Sequence, residues 1–190
     1  TTKIGINVAL GKPVTASSEE SGKGNYASNG NDGSLTTRWC AANGNVPQWW
    51  RVDLGEIVDI IGTKVVWEFE GREFIRYCIE ISNDDSDWQV VVDKTDNTDT
   101  SQVQLDRFEA SARYVRIRIT ELPADPVTWA SFFEFEVYQK VPDIIAPTAP
   151  GNLISIGKTE TTVSLAWDAS TDNIGVTGYN VYKGTELVAT

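Results

Sequence analysis

Short runs of β-branched and aromatic residues recur along the chain, separated by polar stretches rich in Gly, Asn, Asp and Ser. No segment carries an apolar stripe of helical period for more than a turn or two. This pattern predicts an all-β protein with strands over 50–54, 60–67, 76–82, 88–92, 101–105, 112–119 and 132–138. Strands of that length and spacing suit a sandwich or barrel. In 113–119, Tyr114, Arg116 and Arg118 oppose Val115, Ile117 and Ile119, so one face is buried and the other wet. In 77–81, Tyr77, Ile79 and Ile81 face in, and Cys78 and Glu80 face out. Trp39, Trp49, Trp50 and Trp88 fall inside strand motifs and are expected in the core.

The pattern breaks after Gln139. KVPDIIAPTAPG at 140–151 holds three prolines, which cannot continue a central strand. The expected organisation is a first domain over 1–139, a Pro-rich linker over 140–150 and a further segment over 151–190. The last carries strands at 161–167 and 176–182 around the polar turn DASTDNIG.

Composition narrows the chemistry. The 190 residues are 41% apolar, enough for a real core, and carry a net charge of −11, which repels nucleic acid and anionic membrane surfaces. There is no His, which excludes a Ser-His-Asp triad or a His-ligated metal within this chain, so any metal must be held by oxygen. Seven Trp, six Tyr and six Phe against no Met favour rigid aromatic surface, suited to a β core or a flat ligand. Cys40 and Cys78 are too few for a disulfide scaffold and form one bridge or none. No apolar stretch approaches the roughly 20 residues that span a bilayer, and the first residues lack the apolar core of a signal peptide. The chain therefore reads as mature, or as cut from something larger.

Residues 29–37, NGNDGSLTT, gather a carboxylate, a turn-forming glycine and hydroxyls in one short loop. Such oxygens converge on a hard cation that takes about 6–8 of them, although a plain turn with a solvated acid fits the same residues. Asp84, Asp85 and Asp87 read as a solvated turn. Paired acids, Glu19 with Glu20 and Glu68 with Glu70 and Glu73, raise the question of glycosidic cleavage, but nothing marks one acid as buried and its partner as exposed.

Asn7-Val-Ala-Leu-Gly-Lys-Pro, DGSLTTRW (32–39), QWWRVDLG (48–55), IEISNDDSDW (79–88), RYVRIRIT (113–120) and WASFFEFEVY (129–138) occur in this order. Together they resemble the discoidin or coagulation-factor type C domain, in particular the bacterial family 32 carbohydrate-binding modules, over about residues 5–139. The resemblance implies a jelly-roll β-sandwich with ligand loops at one end and a bound calcium beside them. Carried over by motif, Asp32 and Glu134 supply carboxylates to the calcium and Thr37 its hydroxyl and carbonyl. Asn29, Ser34 and Phe133 add main-chain carbonyls. The ligand loops correspond to residues 18–26, 38–47, 67–76 and 124–131. A sugar needs charged or amide groups for its hydroxyls and an aromatic plate for its C–H face. Glu20, Arg38, Asn43, Glu68 and Arg72 fit the first role; Trp67, Phe74 and Trp129 fit the second, with Tyr26 a further aromatic. Glu20, Arg38 and Glu68 match positions that bind sugar in glucan- and chitosan-directed members.

The segment from 146, with APTAPGNL, Trp167 in SLAWDAS and Tyr179 in GYNVYKG, is similar to the first strands of a fibronectin type III domain. The joint expectation is a noncatalytic, calcium-stabilised carbohydrate-binding module that targets a covalently linked glycoside hydrolase, secreted or at the bacterial cell surface, to a polysaccharide or oligosaccharide. A neutral glucan or galactoside ranks ahead of chitosan, and cell-surface adhesion to glycans or protein is the alternative. The first loop, SSEESGKGNYASNG, has no Leu, Phe or Trp to insert into a membrane.

Overall fold

The computed structural model describes residues 5–69, 74–123, 129–140, 144–173 and 175–190. Contacts divide the chain into two compact units, Thr1–Val141 and Pro142–Thr190.

In the first unit the described strands are β1 (Ile6–Asn7), β2 (Val14–Ala16), β3 (Trp39–Cys40), β4 (Gln48–Trp67), β5 (Arg76–Ser82), β6 (Gln89–Lys94), β7 (Val103–Glu121) and β8 (Ser131–Gln139). They pair in the order β1-β8-β4-β7-β5-β6, with β2 on β4 and β3 on β8, and every one of these pairings is antiparallel. This all-antiparallel arrangement is the one expected of a jelly-roll β-sandwich. The predicted strands 50–54 and 60–67 are one strand, β4, and 101–105 and 112–119 are one strand, β7. Their ladder continues across the polar middle segments with register shifts between Asp53 and Val58 and between Ile60 and Gly62. Gly62, at φ +150°, sits where an added Cβ would lie 2.3 Å from the Asp106 carbonyl oxygen, so only glycine lets the two long strands approach there.

The buried face of this sheet is aromatic. Phe132 packs against Trp39 and Trp50 with ring centroids 5.1 and 5.6 Å apart, and Trp67 packs against Tyr77 at 5.5 Å. Val52, Ile79, Val115, Ile117 and Ile119 fill the space between strands and are fully buried. Tyr77 carries a hydroxyl into this interior and donates it to Asp106 Oδ2 at 2.8 Å, which satisfies both.

Two tryptophans expected in the core stand elsewhere. Trp49 and Trp88 are half-buried on the outer face, where the Arg116 guanidinium lies 4.0 Å from the Trp88 ring centroid and 6.0 Å from that of Trp49. Trp49 and Trp50 are neighbours on one strand, so pleating sends them to opposite faces. Cys78 and Glu80 do face outward but are covered: Arg116 and Arg118 each donate Nε to Glu80, at 2.7 and 2.8 Å. Both cysteines are free thiols, and burial pushes the Cys40 thiol up to about 11.

The second unit holds two antiparallel pairs, β9 (Gly151–Lys158) with β10 (Val163–Asp168) and β11 (Val181–Lys183) with β12 (Glu186–Ala189). Trp167 meets Tyr179 at 5.3 Å, and the Tyr179 hydroxyl accepts a bond from the Ser170 amide at 2.7 Å. Leu153, Ile156, Val163 and Leu187 on these strands are exposed. No helix among the described residues is long and apolar enough to cross a membrane.

Candidate functional site

The loop between β2 and β3 is held by short-range bonds. The Glu20 amide donates to the Cys40 carbonyl at 2.8 Å, and the Lys23 and Gly24 amides close a one-turn 3₁₀ helix, Ser21–Lys23, on Glu20 and Ser21 carbonyls at 3.1 and 3.0 Å. Gly24, at φ +77°, ends the turn in the left-handed region. The following 3₁₀ segment, Ala27–Asn31, is clamped to the core: Trp50 Nε1 donates to the Ala27 carbonyl at 2.8 Å. An added Cβ on Gly30 would meet Phe132 at 2.7 Å. Asn29 Nδ2 bonds the Gly24 and Arg38 carbonyls at 2.8 and 3.1 Å, fixing where Arg38 enters β3.

These constraints bring Glu20, Arg38, Glu68 and Trp129 to one shallow cleft of about 190 Å³, which Lys23, Phe69 and the buried Cys40 also line. Arg38 Nε lies 3.1 Å from Glu68 Oε2. The Ser131 hydroxyl, at the start of β8, donates to the same Glu68 oxygen. Glu20 is held on both oxygens, by Lys23 Nζ at 2.7 Å and Asn25 Nδ2 at 2.7 Å. The bond from Lys23, then that from Asn25, holds the Glu20 carboxyl below its usual range. Lys23 Nζ also sits 5.8 Å from the centroid of the half-buried Trp129 ring. The arrangement offers two carboxylates, a guanidinium and an aromatic plate to one small ligand.

The other expected sugar-contacting residues that are described, Trp67, Phe74 and Asn43, do not line this cleft. Trp67 is only 2% exposed and packs on Tyr77 and Phe132, so it presents no face to a ligand; as the last residue of β4 its ring follows the apolar side into the core. Phe74 is half-buried beneath the Arg76 guanidinium, 4.8 Å from its ring centroid. Asn43 is exposed on a turn and accepts the Asn45 amide at 2.9 Å. Arg72 lies outside the described residues. Sequence reasoning missed Lys23, Phe69 and Ser131; the i, i+3 spacing of Glu20 and Lys23 was the one signal for the first.

The 29–37 loop meets β8 at a separate point. Glu134 is 3% exposed, and its Oε1 accepts the Gly33 amide at 2.6 Å, with Gly33 at φ +82°. Asp32 Oδ1 accepts the Ser34 amide at 2.8 Å and Oδ2 the Thr37 hydroxyl at 2.7 Å. Burial pushes the Glu134 carboxyl up to about 7, and the Asp32 carboxyl beside it adds to the rise. Among the described residues no ammonium or guanidinium pairs with either acid. Phe133 and Asn29 are half-buried. The donors are all oxygen, and no cluster of three or more acidic, Cys or His side chains occurs among the described residues.

Residues 13–135 match the F5/8 type C domain. The structure is similar to chitosan-binding module 1 of a chitosanase/glucanase from Paenibacillus sp. IK-5, with 37% identity, a TM-score of 0.60, and coverage of 70% of this chain and 98% of that one. Module 2 of the same enzyme, solved with chitotriose, shares 31% identity at a TM-score of 0.60, covering 70% and 99%. Among curated proteins, chitinase A1 of Niallia circulans is 62% identical over 45 residues, 24% of this chain and only 6% of that protein's length. Two thirds of the present chain, its aromatic core and its loop-end cleft thus place it in the F5/8 type C domain family, where its structural relatives are carbohydrate-binding modules.

Proposed function

We propose that the first unit is a noncatalytic carbohydrate-binding module whose cleft takes a protonated amino sugar, as in chitosan. The observation that carries this reading is the pair of carboxylates, Glu20 and Glu68, lining one cleft with the Trp129 ring. A protonated amine gains charge-assisted bonds from carboxylates, and a pyranose C–H face stacks on an aromatic ring. The neutral glucan or galactoside ranked first from sequence supplies no cation to these carboxylates. The 37% identity to a chitosan-binding module supports the same ligand class. Both acids are paired with cations, and the bonds on Glu20 keep its carboxyl ionised. Glycosidic cleavage needs one acid that retains its proton near neutral pH, so the pair serves binding rather than hydrolysis.

The module would act as the targeting part of a secreted bacterial glycoside hydrolase. The match to a short stretch of a chitinase supports that setting, and so does the Trp167–Tyr179 pair of the second unit, which fits the fibronectin type III reading of residues 151–190. We also read the Asp32–Glu134 contact as a structural calcium site. Two adjacent carboxylates, one of them buried without a counter-cation, with the Thr37 hydroxyl on Asp32, suit a hard cation, and the resemblance adds the carbonyls of Asn29, Ser34 and Phe133. Calcium would neutralise the two acids and tie the loop to β8.

Calorimetric titration with glucosamine, N-acetylglucosamine and glucose oligomers tests the sugar assignment. The expected result is preference for the glucosamine series, with dissociation constants of about 10⁻³ to 10⁻⁵ M, since one shallow site desolvates few groups. Equal affinity for glucose oligomers, or release of reducing sugar from any of the three, would overturn it.

A further inference from the structure

Lys23 makes, within the protein, the two contacts that the proposed ligand would make. Its ammonium lies 2.7 Å from Glu20 Oε1 and 5.8 Å from the centroid of the Trp129 ring, in the cleft that both residues line. The 3₁₀ turn Ser21–Lys23, none of whose residues is buried, and the left-handed Gly24 set this position. The Lys23 side chain is 71% exposed, so it can leave the cleft without disturbing packing, whereas that of Glu20 is 13% exposed and stays.

We propose that Lys23 is a resident cation in the amino-sugar subsite, a specificity-determining residue that an incoming ammonium must displace from Glu20 and Trp129. The inference rests on the amino-sugar reading of the cleft. With Lys23 seated, the Glu20 charge is already balanced and the exposed part of the Trp129 face is shared with an ammonium. A cationic sugar must therefore exchange one ammonium for another on Glu20, while an acetylated or neutral sugar makes no such exchange at that carboxylate. Lys23 thus narrows the preference that Glu20 and Glu68 create, and keeps attachment to a cationic polymer weak enough to reverse.

Titration of wild type, Lys23→Ala, Lys23→Gln and Lys158→Ala with glucosamine tetramer and N-acetylglucosamine tetramer, at a pH where the amine is protonated, tests this. An exposed ion pair and an exposed cation–π contact together correspond to about a three- to tenfold change in affinity. Both Lys23 variants should bind the glucosamine tetramer tighter by that factor with no comparable gain for the acetylated tetramer, and Lys158→Ala, with the same change in net charge, should match wild type. Unchanged or weaker binding by both Lys23 variants overturns the proposal, as does an equal gain for both ligands or the same gain in Lys158→Ala. Glu20→Ala separates the two levels of the argument: if wild type binds the glucosamine tetramer and Glu20→Ala does not, the cleft reading stands whatever Lys23 does. If no variant binds that tetramer, the cleft reading fails and this inference with it.

Discussion

Arg38 and Glu68 form a partly exposed ion pair that lines the cleft. Truncating either leaves its partner and the ligand short of a charge-assisted bond. Arg38→Ala and Glu68→Ala should each weaken glycan binding by about 1.5–3 kcal/mol, ten- to a hundredfold, with little change in melting temperature. Trp129→Ala should lose affinity on a similar scale. Trp50→Ala should instead lower stability by about 3–5 kcal/mol, because its ring is fully buried against Phe132 and Phe135. Calorimetry alongside thermal melts checks the contrast, and loss of folding in Trp129→Ala would remove that residue from the site. At this scale charged loop residues were easier to read than aromatics. A charge in a loop stays in the loop, whereas Trp67 ends a strand and its side is fixed by pleating. Register counted from Trp50 would have placed Trp49 outside.

Among the elements, β4 and β7 show why the sequence divided what the backbone joins. The segment after Leu54, GEIVD, and the stretch DRFEAS in β7 carry too many polar residues to read as strand, yet the main-chain ladder resumes at Val58 and runs on through DRFEAS in shifted register. The alternating apolar residues at either end were legible because they face the core; in the middle residues 55–57 are exposed, and β7 still alternates but carries the carboxylate of Asp106 and the small Ala110 at inward positions, so the apolar signal fades. Across this ladder Arg113 grips Asp53 through two bonds of 2.8 Å, from Nε and from an Nη, just before the register shift. These bonds, with the Gly55 amide, hold the Asp53 carboxyl down to about 2, against an ordinary 3.8. A depressed carboxylate stabilises the fold above its unfolded value and loses that contribution as pH falls through the folded one. Asp53→Asn should therefore melt below wild type near neutral pH, and the gap should close between pH 4 and pH 2. A gap that stays constant over that range would mean the pair contributes nothing by its charge.

For the whole molecule, a net charge of −11 is a standing cost to compaction, and a dication fixed at Asp32 and Glu134 would remove part of it. A chelator should lower the melting temperature of the first unit, and restored calcium should raise it in proportion to the logarithm of its concentration, because a ligand bound only to the native state stabilises it by mass action. Asp32→Ala should melt like the chelated protein and no longer respond to calcium; an unaltered transition in all three would remove the metal. One strand gives these two regions a common fate. β8 presents Ser131 to Glu68 at its first residue and Glu134 to the 29–37 loop three positions later. If calcium binds at Asp32 and Glu134 and a sugar at Glu68, any coupling through this strand would be reciprocal, calcium tightening sugar by the same factor by which sugar tightens calcium. In a calcium-poor medium such a module would let go of its polymer, and in a calcium-rich one it would hold on.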